Sequence, residues 1–152
     1  LGALIAMRET EGAFLAADIE ARVRTMGGYV DELETLAHAG QASLEARLRE
    51  RLAGLPPDLQ ADQAAMAQEI LRLVARSDID EEVVRLRGHV EHWRTLATGA
   101  EPCGRKLDFL VQEMNREINT IGSKIEGPRA SEIVIAAKAE LERIREQVQN
   151  VE

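Results

Sequence analysis

Glu82, Arg85 and His89 follow one another at spacings of three and four. At about 100° per residue they fall within an arc of about 60° on a helix, at the edge of the apolar stripe Val83, Leu86, Val90 and Trp93. Asp78 and Glu81 lie just upstream. Carboxylates beside a neutral imidazole can hold Mg²⁺, Mn²⁺ or Zn²⁺. The same residues also read as ordinary helix chemistry: Asp80 as an N-cap, Glu81 and Glu82 at the positive helix end, Glu82–Arg85 as an (i, i+3) ion pair. A second arc joins Asp108, Gln112, Asn115 and Asn119, beside the stripe Leu107, Val111, Met114 and Ile118. Amides beside a core need hydrogen-bond partners, so this arc is either a structural network, a solvated face or half of a polar groove. Arg105 and Lys106 open the same segment. Cations there oppose the helix dipole unless an anion such as a phosphate docks at the free N–H groups; otherwise they are solvated side chains. His38 and His92 have no evident partners and read as surface residues.

Other chemistries find no support. There is no phosphate-binding glycine loop, no HExxH and no placeable Ser-His-Asp set. Cys103 is the only cysteine, so neither an intramolecular disulfide nor a cysteine zinc cluster can form. With no visible secretory signal, a cytoplasmic location is the expectation. The longest apolar run, Ile133 to Ala137, is far too short for a membrane span.

The elements that must position these residues are helices. Ala, Leu, Glu and Arg dominate the 152 residues, and the aromatics are only Phe14, Tyr29, Trp93 and Phe109. The spacing predicts an all-α, elongated bundle of six segments. The first covers about Leu1 to His38, with Leu1, Ile5, Arg8, Gly12, Leu15, Ile19 and Val23 near one stripe, which resumes with Val30, Leu33 and Leu36. Gly27-Gly28 can bend or break it, and Gly40 is read as its cap. A long helix or a helical hairpin would satisfy this pattern. Ser43 is read as capping a short helix to Leu52. A third helix opens at Asp58 or Asp62, with Met66, Ile70, Leu73 and Val74 inward. The others cover about Glu81 to Ala97, Arg105 to Ile121 and Ser131 to Val151, the last with Ile135, Leu141, Ile144, Val148 and Val151 inward. Loops fall at Gly99 to Gly104, which contains Pro102, and at Gly122 to Pro128. The short loop predicts antiparallel pairing of the two polar-arc helices. Both arcs should then line one groove, with His89 beside Asp108 and Glu82 nearer Asn115. A division into a helical stalk, 1–76, and motif-bearing helices, 77–152, is a further expectation.

The run from Gly104 to Thr120, Gly-Arg-Lys-Leu-Asp-Phe-Leu-Val-Gln-Glu-Met-Asn-Arg-Glu-Ile-Asn-Thr, resembles the C-terminal region of the YicC/YloC family of bacterial endoribonucleases. The ending Ile144 to Glu152, the stretch Asp78 to Leu86 with His89 beyond, and Met7-Arg8 followed by Glu11-Gly12 are similar to that family in the same order. The resemblance implies RNA cleavage dependent on a divalent metal, Mn²⁺ or Mg²⁺, a cytoplasmic location, and a homo-oligomeric ring expected to be a hexamer. It also implies that this chain is the C-terminal helical half of a protein with an N-terminal domain of similar size; a chain beginning at Leu1 fits that expectation.

The matched positions are Glu82, Arg85, His89, Asp108, Glu113, Asn115, Arg116 and Glu117. On that basis Glu82, His89, Asp108, Glu113 and Glu117 are the catalytic candidates. Asp78, Glu82, His89 and Asp108 are the metal candidates, and Arg85, Arg105, Lys106, Asn115 and Arg116 are the RNA contacts. The formal charge of −8 opposes a strong nonspecific grip on RNA, unless another part of the protein or an oligomer lumen supplies a basic surface. The alternative is a non-catalytic helical oligomerisation module, in which the polar arcs are structural networks.

Overall fold

The computed structural model describes residues 2–57, 62–99 and 103–150. Leu1, Asp58, Pro102 and Val151, together with the side chains of Ile5 and Arg8, lie outside the described residues. Among the described residues five helices follow one another: α1 (Gly2–Ala53), α2 (Gln63–Ala75), α3 (Asp80–Ala97), α4 (Gly104–Lys124) and α5 (Pro128–Asn150). Among the described residues there is no strand, in line with the all-α expectation. No helix among them is long and apolar enough to cross a membrane.

Where two segments were expected before Gly54, there is one helix. Gly27, Gly28, Gly40 and Ser43 all lie inside α1. Each interior glycine costs about 1 kcal/mol. Burial of Val23, Met26, Val30, Leu33 and Ala37 outweighs that cost. Helix α1 ends at Gly54, whose N–H donates to the Glu50 carbonyl (3.1 Å), followed by Pro56 and Pro57. With 52 residues α1 spans about 78 Å, nearly three times the 18-residue α3.

The middle of α1, α3, α4 and α5 form a four-helix bundle. Ion pairs define its directions. Along α1, Glu20 meets Arg94, Asp31 and Glu34 meet Arg87, and His38 meets Asp80, so α3 runs antiparallel to α1. Arg22 meets Glu140 and Glu32 meets Arg129, so α5 does the same. Helix α4 packs on α3 and α5, diagonally across from α1. One continuous core joins all four, with Trp93, Leu33, Leu86, Met114, Ile118, Ile121, Leu141 and Ile144 fully buried. Helix α2 packs only on the overhanging end of α1. Ile135, expected inward, is exposed, and Ile133 takes its place in the core.

Helix termini follow local chemistry. Asp62 caps α2, its carboxylate accepting from the Ala65 N–H at 2.9 Å. Asp80 was expected to cap α3. The cap position is instead Ile79, which is fully buried, and Asp78 Oδ1 accepts the Asp80 N–H at 2.9 Å. Helix α4 runs past its expected end at Ile121 to Lys124 and includes Gly122. A Cβ on Gly122 would come within 3.1 Å of Val134 Cγ1, so the glycine permits close approach of α4 and α5. Gly127, at φ 121°, turns the chain into Pro128 at the first position of α5.

Leu33 is fully buried at the centre of the α1 stripe. Leu33→Ala should therefore cost about 2–5 kcal/mol, read as a lowered denaturant midpoint with an unchanged m-value.

Candidate functional site

Among the described residues two carboxylates are buried, Glu82 on α3 and Glu117 on α4. Each sits one step off its helix's apolar stripe, where α3 and α4 face one another. A buried carboxylate needs a compensating cation, and both have one. Lys124 Nζ donates to both oxygens of Glu82 at 2.9 Å. Arg85 donates Nε to Glu117 at 3.0 Å and Nη2 to Glu82 at 3.2 Å. Its Nη1 also pairs with the exposed Glu81. Arg85 is held further into its charged form, first by the hydrogen bond to Glu117 and then by the surrounding carboxylates. The cluster thus has buried acids on the inside and half-exposed cations outside, at the end of the bundle where α3 begins and α4 ends.

The sequence candidates divide between this cluster and other surfaces. Glu82, Arg85 and Glu117, three of the positions matched to the family motif, meet, a grouping that spacing did not predict. Asp108 does not join them. It accepts from Gln112 at 2.7 Å and from Arg145 of α5 at 3.2 Å. The expected single groove is therefore corrected. Asp108 and Glu117 are nine residues apart, about 180° around α4, so the Asp108 arc borders α5 while Glu117 borders α3. His89 is half-buried on α3, and Asp78 is exposed at its start. The set Asp78, Glu82, His89 and Asp108 does not converge. No three His, Cys, Asp or Glu side chains among the described residues form a group able to hold a metal ion. Glu113 is half-buried, and Asn115 and Arg116 are exposed. Arg105 and Lys106 are exposed at the start of α4, about 30 Å along the helix axis from Lys124.

Two participants escaped sequence reasoning. Lys124 lies seven residues after Glu117, two turns along the same face, a spacing that could have marked it. His38, read as an unpartnered surface residue, meets Asp80 Oδ1 at 3.0 Å. That contact joins segments 42 residues apart, for which the sequence carries no local signal. At the other end of the bundle a separate apolar cleft of about 870 Å³ is lined by Leu15, Ile19, Trp93, Leu107 and Val148.

An all-α bundle carrying a Glu–Arg–Glu–Lys network, its two carboxylates buried, defines a class of helical domain. The comparisons give it a family. The chain matches "Endoribonuclease YicC-like, C-terminal" over residues 33–152, and it belongs to that family. It is similar to a protein named "Probable endoribonuclease YicC" from Clostridioides difficile, 38% identical over 147 residues, covering 96% of this chain and 50% of the relative. A protein of the same name from Haemophilus influenzae is 34% identical over 148 residues, covering 97% of this chain and 51% of the relative. The chain spans about half the length of these curated relatives.

Removing one partner of the buried pair strands the other. Lys124→Met should destabilise the domain by about 1–3 kcal/mol, discounted because the ammonium is partly exposed. Adding Glu82→Leu should recover part of that loss, so denaturation of both single variants and the double variant should show non-additivity. The pair at His38 should depend on pH. Asp80 raises the His38 pKa above its ordinary 6.5, with Glu34 and Asp78 adding to the effect. Stabilisation from this pair is fully present below pH 6.5 and is lost as pH rises through the folded-state value. The difference in melting temperature between wild type and His38→Gln should fade across that window.

Proposed function

We propose that the protein carrying this chain is an endoribonuclease that cleaves RNA phosphodiester bonds, with this chain as its C-terminal helical half. Family membership carries the reading: relatives covering nearly all of this chain are named as probable endoribonucleases. The clustering of Glu82, Arg85 and Glu117, all at family motif positions, supports it.

The chain's own residues have definable parts in such a site. Glu82 and Glu117 fix the Lys124 ammonium and the Arg85 guanidinium at the surface. Preorganised cations can counter charge developing at a phosphate without reorganising. A divalent ion, Mn²⁺ or Mg²⁺, belongs to the proposal for the whole protein. The four-residue cluster does not fit it, because Arg85 and Lys124 already occupy its carboxylates. Donors for a metal must therefore come from beyond the cluster.

A second reading has one observation in its favour: both Glu82 oxygens are engaged by Lys124. The network would then serve to register helices in a non-catalytic oligomerisation module. Cleavage of a labelled RNA by the full-length protein, with Mn²⁺, Mg²⁺ or a chelator, separates the two. We expect metal-dependent cleavage and a loss on the order of 100-fold or more in Glu82→Gln, with the circular dichroism spectrum retained. Light scattering should give a mass several-fold above one chain. Unchanged cleavage in Glu82→Gln, with a lowered melting temperature or altered mass, would establish the assembly role instead.

A further inference from the structure

Beside the buried cluster, on the side where α2 packs on α1, lies a groove of about 430 Å³. Lys124, which neutralises Glu82, is also part of its wall, so the groove and the cluster are continuous. Its other cations are Arg47 on α1 and Arg76 at the end of α2. Both are exposed, and neither forms an ion pair with any described residue. Their neighbours are committed differently: Arg49 pairs with Glu45 at 2.8 Å and Arg72 with Glu69 at 3.4 Å. Other basic side chains, Arg105 and Lys106 among them, also lack an ion pair with a described residue; what sets Arg47 and Arg76 apart is that they share one concavity, in a chain with 27 acids against 19 bases. Glu126 is the carboxylate in the lining, and Lys124 is already offset by Glu82. The uncommitted positive charge is therefore that of Arg47 and Arg76. The floor is aliphatic, and no aromatic side chain lines the groove.

We propose that this groove binds the phosphate backbone of single-stranded RNA, with Arg47 and Arg76 on the phosphates and Lys124 leading the strand to the Glu82–Arg85–Glu117 cluster. The proposal rests on the endoribonuclease reading above. Guanidinium groups suit phosphate because their fork of donors matches its oxygens. Without aromatic platforms the groove cannot stack bases, so its grip is independent of sequence. The location also eases the conflict between RNA binding and the net charge of −8, because Arg47 and Arg76, unpaired with any described residue, place two positive charges together on an acidic chain.

The test measures binding of a fluorescent single-stranded RNA oligomer to the full-length protein over a range of salt concentrations. It compares wild type, Arg47→Gln/Arg76→Gln and Arg72→Gln, with cleavage assayed in parallel. The double variant should bind on the order of tenfold more weakly. The slope of log affinity against log salt should fall by about 1.4, from about 0.7 per lost phosphate contact on a single strand. Arg72→Gln should match wild type, and Arg47→Lys/Arg76→Lys should keep the wild-type salt slope. Unchanged affinity and slope in the Gln double variant, with wild type binding and cleaving RNA, would overturn this inference alone. Equal weakening in Arg72→Gln would overturn it in favour of diffuse attraction. Absence of RNA binding by wild type would overturn both this inference and the endoribonuclease reading. Binding without cleavage, weakened in the double variant, would support the groove and overturn the endoribonuclease reading.

Discussion

Two carboxylates cannot leave water without cations to meet them, and this requirement sets the relation between α3 and α4. Glu82 and Glu117 are both nearly inaccessible, on helices that face one another. Arg85 reaches from α3 to Glu117, and Lys124 reaches from α4 to Glu82. The two pairs cross the interface in opposite directions. Sliding one helix by a turn, about 5.4 Å, would separate both pairs together and leave buried charge uncompensated. The buried apolar stripes of α3 and α4, Val83, Leu86 and Val90 on one and Met114, Ile118 and Ile121 on the other, tolerate more than one register, because hydrophobic attraction has no direction. The ion pairs do not. Packing supplies cohesion here and the charges supply alignment.

The same economy of charge organises the rest of the bundle. Helix α1 meets α3 and α5 through ion pairs spaced along its length, from Arg22 with Glu140 to Arg87 with Asp31 and Glu34. These are partly exposed contacts and add little cohesion individually. Their arrangement is antiparallel on both sides, which reinforces the topology dictated by the short connections. Arg47 and Arg76, on the overhang of α1 and at the end of α2, lie outside this arrangement and pair with no described residue.

Fold class and most helix positions were legible because they follow from local composition and a periodicity of 3.6. Val83, Leu86, Val90 and Trp93 were read as inward and are buried. The break at Gly40 was misjudged for a physical reason: glycine propensity is a local cost, whereas α1 is held by Leu33 and Ala37 against distant helices. The site was half legible. Periodicity shows that α4 has two polar edges beside its stripe, Asp108 with Asn115 on one and Glu117 with Lys124 on the other. It does not say which edge meets α3, because that depends on the side of the bundle on which α5 settles. Spacing alone favoured the Asp108 edge, and Glu117 entered only through the family motif. His38 with Asp80 lay beyond reach altogether, because partners 42 residues apart leave no mark in local pattern.

The unbroken α1 has a consequence for how this chain can change length. Its bundle face, Val23 to Ala37, and its overhanging end, Leu44 to Leu48, are two parts of one rigid screw. Inserting a single residue between Ala37 and Leu44 would rotate the overhang by about 100° and carry Arg47 away from Lys124. Three or four residues come close to completing a turn and would largely restore the phase while lengthening the rod. The connection that begins at Gly54 to Pro57 carries no such gearing, since those residues lie past the end of α1. Length variation should accordingly collect in that connection, and where it enters α1 it should come in steps of a helical turn.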